Sequence, residues 1–203
     1  MKAHVFGLLT IWLAAMGLSG CAGSVPVTHY YTFQASLPTT AETTPAKYSY
    51  TLGLAFEADE LYEQNKIVFR PSSYEVSFYE YHRWLRPPVD LVAEQAQALF
   101  TKANLVQKVF VGAGGAEYVL QGRLLMCDQW YTAQRTSSIQ VVIAYQLVRA
   151  EDAETLWQTV VETTATTATV EILETIKAFE SAVQGNLTQT MTALDQFFAQ
   201  PQE

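Results

Sequence analysis

Residues 139–147 read Ile139-Gln140-Val141-Val142-Ile143-Ala144-Tyr145-Gln146-Leu147. Five apolar residues, Ile139, Val141, Ile143, Tyr145 and Leu147, recur at a spacing of two, the pattern of a strand with one buried face. Upstream, residues 118–126 alternate in the same way through Tyr118, Leu120, Gly122 and Leu124. They follow a strand over 106–111 and a turn at Gly112-Ala113-Gly114-Gly115. Downstream, the acidic turn Ala150-Glu151-Asp152-Ala153-Glu154 leads to Leu156, Gln158 and Val160, with Trp157 and Val161 as outward neighbours. The block predicts an antiparallel meander.

Two helical patterns flank it. Pro88 suits a first helical turn, with Asp90 near the positive end of the helix dipole. Val89, Val92, Ala96, Leu99 and Phe100 then point inward, and Asn104 supplies a stop. A long amphipathic helix over 170–199 carries Leu173, Ile176, Val183, Leu187, Met191, Leu194 and Phe198 as one stripe, with Gly185-Asn186 as a candidate kink. Closer to the N-terminus, short strands are predicted over 30–33 and 50–56, separated by a Thr/Pro/Ala loop at 35–47. A strand pair follows over 66–70 and 74–81, turning at Pro71-Ser72-Ser73. On its second strand, Tyr74, Val76 and Phe78 share one face and Glu75, Ser77 and Tyr79 the other. The fold class is α/β (α+β): a single domain with a mixed, mostly antiparallel sheet packed by two main helices, the second long and C-terminal.

The composition fits one globular domain. The chain has 203 residues, 49% hydrophobic and 16% charged, and can bury roughly 70% of its unfolded surface. A net charge of −8 argues against a binder of the nucleic-acid backbone. With 2 Cys and 3 His, neither a Cys/His zinc site nor a disulfide scaffold is expected, and no metal or other cofactor is called for.

The first twenty-one residues carry the most specific short signal. Met1-Lys2-Ala3-His4 is a weakly basic head, and residues 5–18 are apolar except for Thr10. That length suits a signal-peptide core and is short for a membrane span. The run ends in Leu18-Ser19-Gly20-Cys21, the lipobox pattern, in which the small residues admit the signal peptidase and Cys21 takes a diacylglycerol. The expected organisation is a signal peptide at 1–20, a lipidated tether at 21–28 and one domain at 29–199. Cleavage removes Lys2 and no acidic residue, so the mature chain is one unit more negative. The acyl chains make anchoring effectively permanent. The residues from Ala22 to Thr28 span at most about 25 Å, so the domain stays close to the membrane. Ala22, where Asp would favour inner-membrane retention, points to the outer membrane's periplasmic leaflet. Cys127 follows Leu124-Leu125-Met126 and reads as a buried thiol instead of a reactive one.

Catalytic patterns are sparse. The mature chain has His29 and His82, with no G-x-S-x-G elbow around a serine. Glu75 and Glu80 read as solvated residues of one strand and not as a glycosidase pair. The glycine cluster precedes a strand and lacks the Lys-Ser/Thr of a phosphate loop. The chain is therefore expected not to be an enzyme. Trp130-Tyr131, where the 118 strand runs into the polar loop at 132–136, reads either as rim packing or as a hairpin tip that meets a membrane protein or lipid, and the acidic balance favours protein contact over direct membrane binding.

The order of features resembles the ABC-type transport auxiliary lipoproteins. It consists of the lipobox, an early Tyr-Tyr strand, Asn65-Lys66-Ile67-Val68-Phe69-Arg70, then Tyr74 onward into Arg83-Trp84 and a helix. Glu117-Tyr118-Val119-Leu120-Gln121-Gly122, the 139–148 strand and the helix after Trp157 continue it, so the likeness spans about residues 28–198. It implies a non-catalytic subunit of a lipid transport system, with an MCE-domain (mammalian cell entry) protein and an ABC permease and ATPase as partners. Arg83, Trp84, Trp130 and Tyr131 are then candidate partner contacts, Cys21 is the lipidation site, and its covalent lipid is the sole attached group. Two other readings share the composition. One is an assembly or chaperone lipoprotein of another outer-membrane machine. The other is a periplasmic lipid carrier with a cavity lined by Leu120, Ile143 and Val160.

Overall fold

One long strand organises the sheet. The computed structural model describes residues 26–34, 45–131 and 136–200. Cys21, the signal-peptide stretch, most of the tether, and most of the 35–47 and 132–136 loops lie outside the described residues. The elements in chain order are β1 (His29–Tyr31), β2 (Tyr48–Ala58), β3 (Lys66–Ser72), β4 (Glu75–Trp84), α1 (Pro88–Ala103), β5 (Val106–Val111), β6 (Tyr118–Tyr131), β7 (Ser137–Arg149), β8 (Thr155–Thr167) and α2 (Ile172–Phe198). A one-turn 3-10 helix, Glu60–Tyr62, joins β2 to β3.

Strand β6 pairs antiparallel with β7 from Tyr118↔Arg149 to Tyr131↔Ser137, and β7 pairs in the same sense with β8. The other edge of β6 is divided. Its first half pairs parallel with β2, from Leu52↔Tyr118 to Ala58↔Leu124. Its second half pairs parallel with β3, from Val68↔Asp128 to Arg70↔Trp130. The sheet therefore forks, with β5 beyond β2 on one branch and β4 then β1 beyond β3 on the other. It is mixed, as the sequence predicts. The antiparallel part is the β6–β7–β8 meander and the β3–β4 hairpin, while β1–β4, β2–β5, β2–β6 and β3–β6 are parallel.

Strand β5 does not belong to the meander. It pairs parallel with β2 (Leu54↔Val111), and β6 pairs with the opposite edge of β2 (Leu52↔Tyr118). Parallel strands ordinarily need a crossover of a dozen residues or more. Here residues 112–117 suffice, because β5 ends at the level of β2 where β6 begins. The chain steps across β2 at Gly53. A Cβ on Gly53 would sit 2.5 Å from the Gly112 carbonyl oxygen and 3.3 Å from Ala113 Cα. The Gly112 N–H donates to Leu54 O (2.8 Å), and Gly112 and Gly115 take φ of 86° and 81°, values that favour glycine.

The two helices lie against β7, β8, β2 and β5, and touch each other. The inner face of the meander, with Leu120, Leu124, Ile139, Val141, Ile143 and Leu147, packs with Phe179, Val183, Leu187 and Leu194 in one buried core. Each such side chain contributes roughly 1.5–3 kcal/mol on burial. Helix α1 ends where expected, at Asn104 with φ 50°.

Three phases differ from expectation. On β8 the inward set is odd-numbered: Trp157 and Val161 pack against the core, and Val160 is 61% exposed. Both faces of that stretch are apolar, so alternation alone does not choose between them. On β4, Tyr79 packs against the core while Val76 and Phe78 face outward. An irregularity between Lys66↔Arg83 and Val68↔Phe78 then moves the buried phase to Trp84, and the hairpin turns at Ser73-Tyr74, two residues later than predicted. Leu173, placed in the α2 stripe by periodicity, is 62% exposed. Helix α2 is one element through Gly185-Asn186. Asn186 is buried in its apolar stripe, accepting from the Tyr145 hydroxyl (2.8 Å) and donating to Val161 O (2.8 Å).

Candidate functional site

Polar side chains concentrate on the β3–β4 branch and at the end of the sheet where β3 turns into β4. On the face away from the helices, Asp128 of β6 is fully buried. The Tyr62 hydroxyl donates to it (2.8 Å) and Arg70 Nε pairs with it. Arg70 also stacks over the Trp130 ring at 5.2 Å. The register brings them together, since Val68 faces Asp128 and Arg70 faces Trp130. Burial and the neighbouring carboxylate push the Tyr62 phenol up, so it stays protonated and keeps donating. This carboxylate is paired on both sides, which suits a structural ion pair.

On the helix-facing side, the Tyr79 hydroxyl donates to Gln129 Oε1 (2.7 Å) and meets the Tyr131 hydroxyl (2.8 Å). Gln129 Nε2 donates to Ser137 Oγ (2.9 Å) and Thr175 Oγ1 (3.2 Å), and Ser137 meets Thr167 (2.9 Å). The chain of hydroxyl and amide groups ties β4, β6, β7, β8 and α2 together. Such networks specify one arrangement when every member is satisfied.

At the β1–β4 seam, His29 lies opposite His82 with rings 5.6 Å apart, and the Tyr31 hydroxyl meets His82 Nδ1 at 2.8 Å. Burial first, and His29 second, hold the His82 pKa below its ordinary value. Cys127 is buried, and burial pushes its thiol up, so it is a protonated, inert thiol at neutral pH.

The four candidate contact residues separate. Trp84 is 1% exposed, T-stacked on Phe33 and Phe179, so its ring belongs to the core and is not a contact surface. Arg83 is half-buried on β4 opposite Lys66 and Tyr30. Trp130 and Tyr131 are half-buried on opposite faces of β6, one under Arg70 and the other against Phe69 and Tyr79. The fully exposed aromatic nearby is Tyr74, at 99%. Its place at a turn was hidden because the alternating pattern counted it as part of the strand. The carrier reading fares worse: Leu120 and Ile143 are in the filled core, and Val160 points from the opposite face. A shallow groove of about 370 Å³ does lie on the helix-free face, lined by Ala55, Glu57, Gln121, Arg123, Ala144 and Gln146 among others. Among the described residues, no cluster of three or more His, Cys, Asp or Glu could hold a metal, and no helix is long and apolar enough to cross a membrane.

Neither a family model nor a curated protein matches the chain. Solved structures do. A Xanthomonas campestris protein of the DUF330 family superposes with a TM-score of 0.69 at 16% identity, covering 80% of this chain and 92% of that one. An uncharacterised protein gives 0.64 at 10% identity over 83% and 99%. A hypothetical protein of Chlamydia trachomatis gives 0.51 at 6% identity over 72% and 96%. At these identities the likeness is one of fold.

Proposed function

We propose that the chain is a lipid-anchored envelope protein, held by Cys21 at the periplasmic face of the outer membrane, that serves as the non-catalytic auxiliary subunit of an ABC-type lipid transporter with an MCE-domain partner. One observation carries this reading. The two most specific segments of the resemblance, residues 65–70 and Arg83-Trp84, form a single joint. The Trp84 N–H donates to Asn65 O (2.9 Å), and Lys66 faces Arg83 across the β3–β4 pair. The two segments are the outer ends of one β3–β4 hairpin, so the resemblance falls on a single structural unit. The fold shared with the DUF330 protein is consistent with it. So is the use of the buried polar groups, since Asp128, Gln129 and Asn186 are each bonded to other side chains.

Recovery of the full-length protein from native membranes in mild detergent, with mass spectrometry, tests the reading. Co-recovery of an MCE-domain protein with its permease and ATPase is the expected result. Recovery with a different outer-membrane machine would replace it with an assembly role. Cys21→Ala should release the chain from the membrane and weaken the envelope barrier, and undiminished transport by the released form would overturn the anchoring part.

A further inference from the structure

We propose that the β3–β4 turn and the start of α2 rest in the headgroup layer of the bilayer that holds the Cys21 acyl chains, with Tyr74 and Leu173 as the inserted residues. This inference rests on the lipid anchor proposed above and adds how the domain stands on the membrane.

Three observations converge. First, five of the ten large apolar side chains exposed among the described residues lie toward one end of the sheet. Tyr74, Val76 and Phe78 protrude from the β3–β4 hairpin, and Val170 and Leu173 from the start of α2. The register places these elements together. Strand β3 runs parallel to β6 and beyond Arg70↔Trp130 into the turn, while β6 and β8 finish and β7 begins at one level, Tyr131↔Ser137 and Ser137↔Thr167. Helix α2 starts five residues after Thr167.

Second, β1 fixes the direction from which the anchor comes. It pairs parallel with β4, His29↔His82 to Tyr31↔Trp84, and β4 begins at the turn. The chain entering β1 therefore approaches from the turn side. Third, the lengths match. Glu75 lies seven residues before His82, about 23 Å along a strand. Cys21 lies eight residues before His29, a reach of up to about 28 Å. A tether of that length is long enough for the acyl chains and the turn to share one bilayer, and the direction of β1 favours the turn end. Tyrosine suits the headgroup layer, where a ring is half in apolar surroundings and its hydroxyl is wet. Glu75, Glu171 and Glu174 at the same end favour zwitterionic over anionic headgroups.

The test uses the mature, acylated protein in vesicles of phosphatidylethanolamine and phosphatidylcholine. A solvent-sensitive fluorophore is attached in turn at Y74C, L173C, V160C and V111C, with Cys127 unlabelled because it is buried. The proposal expects a blue shift, and quenching by a lipid-borne quencher, at positions 74 and 173. It expects neither change at position 160 in the middle of the outer face, nor at position 111 toward the opposite end. Acylated protein whose positions 74 and 173 behave like 160 and 111 overturns the inference and leaves the anchor reading intact. A shift at position 74 in native membranes but not in protein-free vesicles assigns that end to a protein partner and also overturns it. An intact mass lacking the acyl groups removes the anchor reading, and this inference with it.

Discussion

Gly53→Ala should destabilise the protein, although alanine is ordinarily the better strand residue of the two. The new methyl would lie 2.5 Å from the Gly112 carbonyl oxygen, 3.3 Å from Ala113 Cα and 3.3 Å from Ala116 Cβ. The nearest atom belongs to backbone, so no side chain can swing aside. The step from β5 to β6 must lift by several tenths of an ångström, straining the Gly112 N–H to Leu54 O bond. Overpacking of this kind costs about 1–3 kcal/mol, and the lower freedom of the unfolded alanine chain offsets about 0.4–1 kcal/mol. The net loss is about 1–2 kcal/mol, which at about 2–4 °C per kcal/mol lowers Tm by about 2–8 °C. Gly114→Ala is the control: its Cβ would meet nothing within 4 Å and its φ is not positive, so it should stay within about 0.5 kcal/mol of the parent. Thermal unfolding followed by circular dichroism, with the protein in mild detergent, compares the two. If Gly53→Ala melts with Gly114→Ala, the chain does not cross β2 at this glycine and the account of the fork is wrong.

Three further outcomes are expected. Arg70→Met strands the buried Asp128 carboxylate and should cost about 3–5 kcal/mol in urea unfolding. Asp128→Asn in the same background should restore part of that loss, and a purely additive pair would argue against the coupling. Asn186→Leu leaves the Tyr145 hydroxyl without its acceptor and Val161 O without its side-chain donor, and should cost about 2–4 kcal/mol, against a near-neutral value if the stripe simply wanted another apolar residue. For pH, the lowered His82 pKa means that the unfolded chain binds a proton before the folded one does. Stability should therefore be full above the ordinary histidine value of 6.5 and fall as pH drops through it toward the lower folded value. His82→Gln should flatten that slope in denaturant titrations between about pH 5 and 7.5.

The elements were legible where one physical signal dominated. Strand β7 has an unbroken hydrophobic inner face from Ile139 to Leu147, and α1 combines an N-terminal proline with Asn104 at its end. The order of strands was less accessible. A six-residue, glycine-rich link between two strands reads as a hairpin, and only the offset of β5 and β6 along β2 shows it to be a crossing. Phase failed where apolar residues occupy both faces, as at Leu156, Trp157, Val160 and Val161, and where they face outward, as at Tyr74, Val76 and Phe78. For Trp130 and Tyr131 the sequence identified the end of the sheet but not which aromatic stands free there. Trp84 is a related case: its ring closes the core beside Phe33 and Phe179, a role that a signature tryptophan next to an arginine does not disclose. The Arg70–Asp128 pair was invisible because its members lie 58 residues apart and meet only through the β3–β6 register.

The parallel seating of β1 on β4 also has a mechanical consequence. Tension on the chain ahead of His29 acts along the strand axis, so it loads the β1–β4 hydrogen bonds in shear, all at once, instead of peeling them one after another. The load then passes through β4 and β3 into β6, the strand that both branches share, with the Phe33 and Trp84 rings acting as a wedge behind the short strand. A drag on the proposed lipid anchor would thus be spread across the body of the sheet before any single pairing gave way.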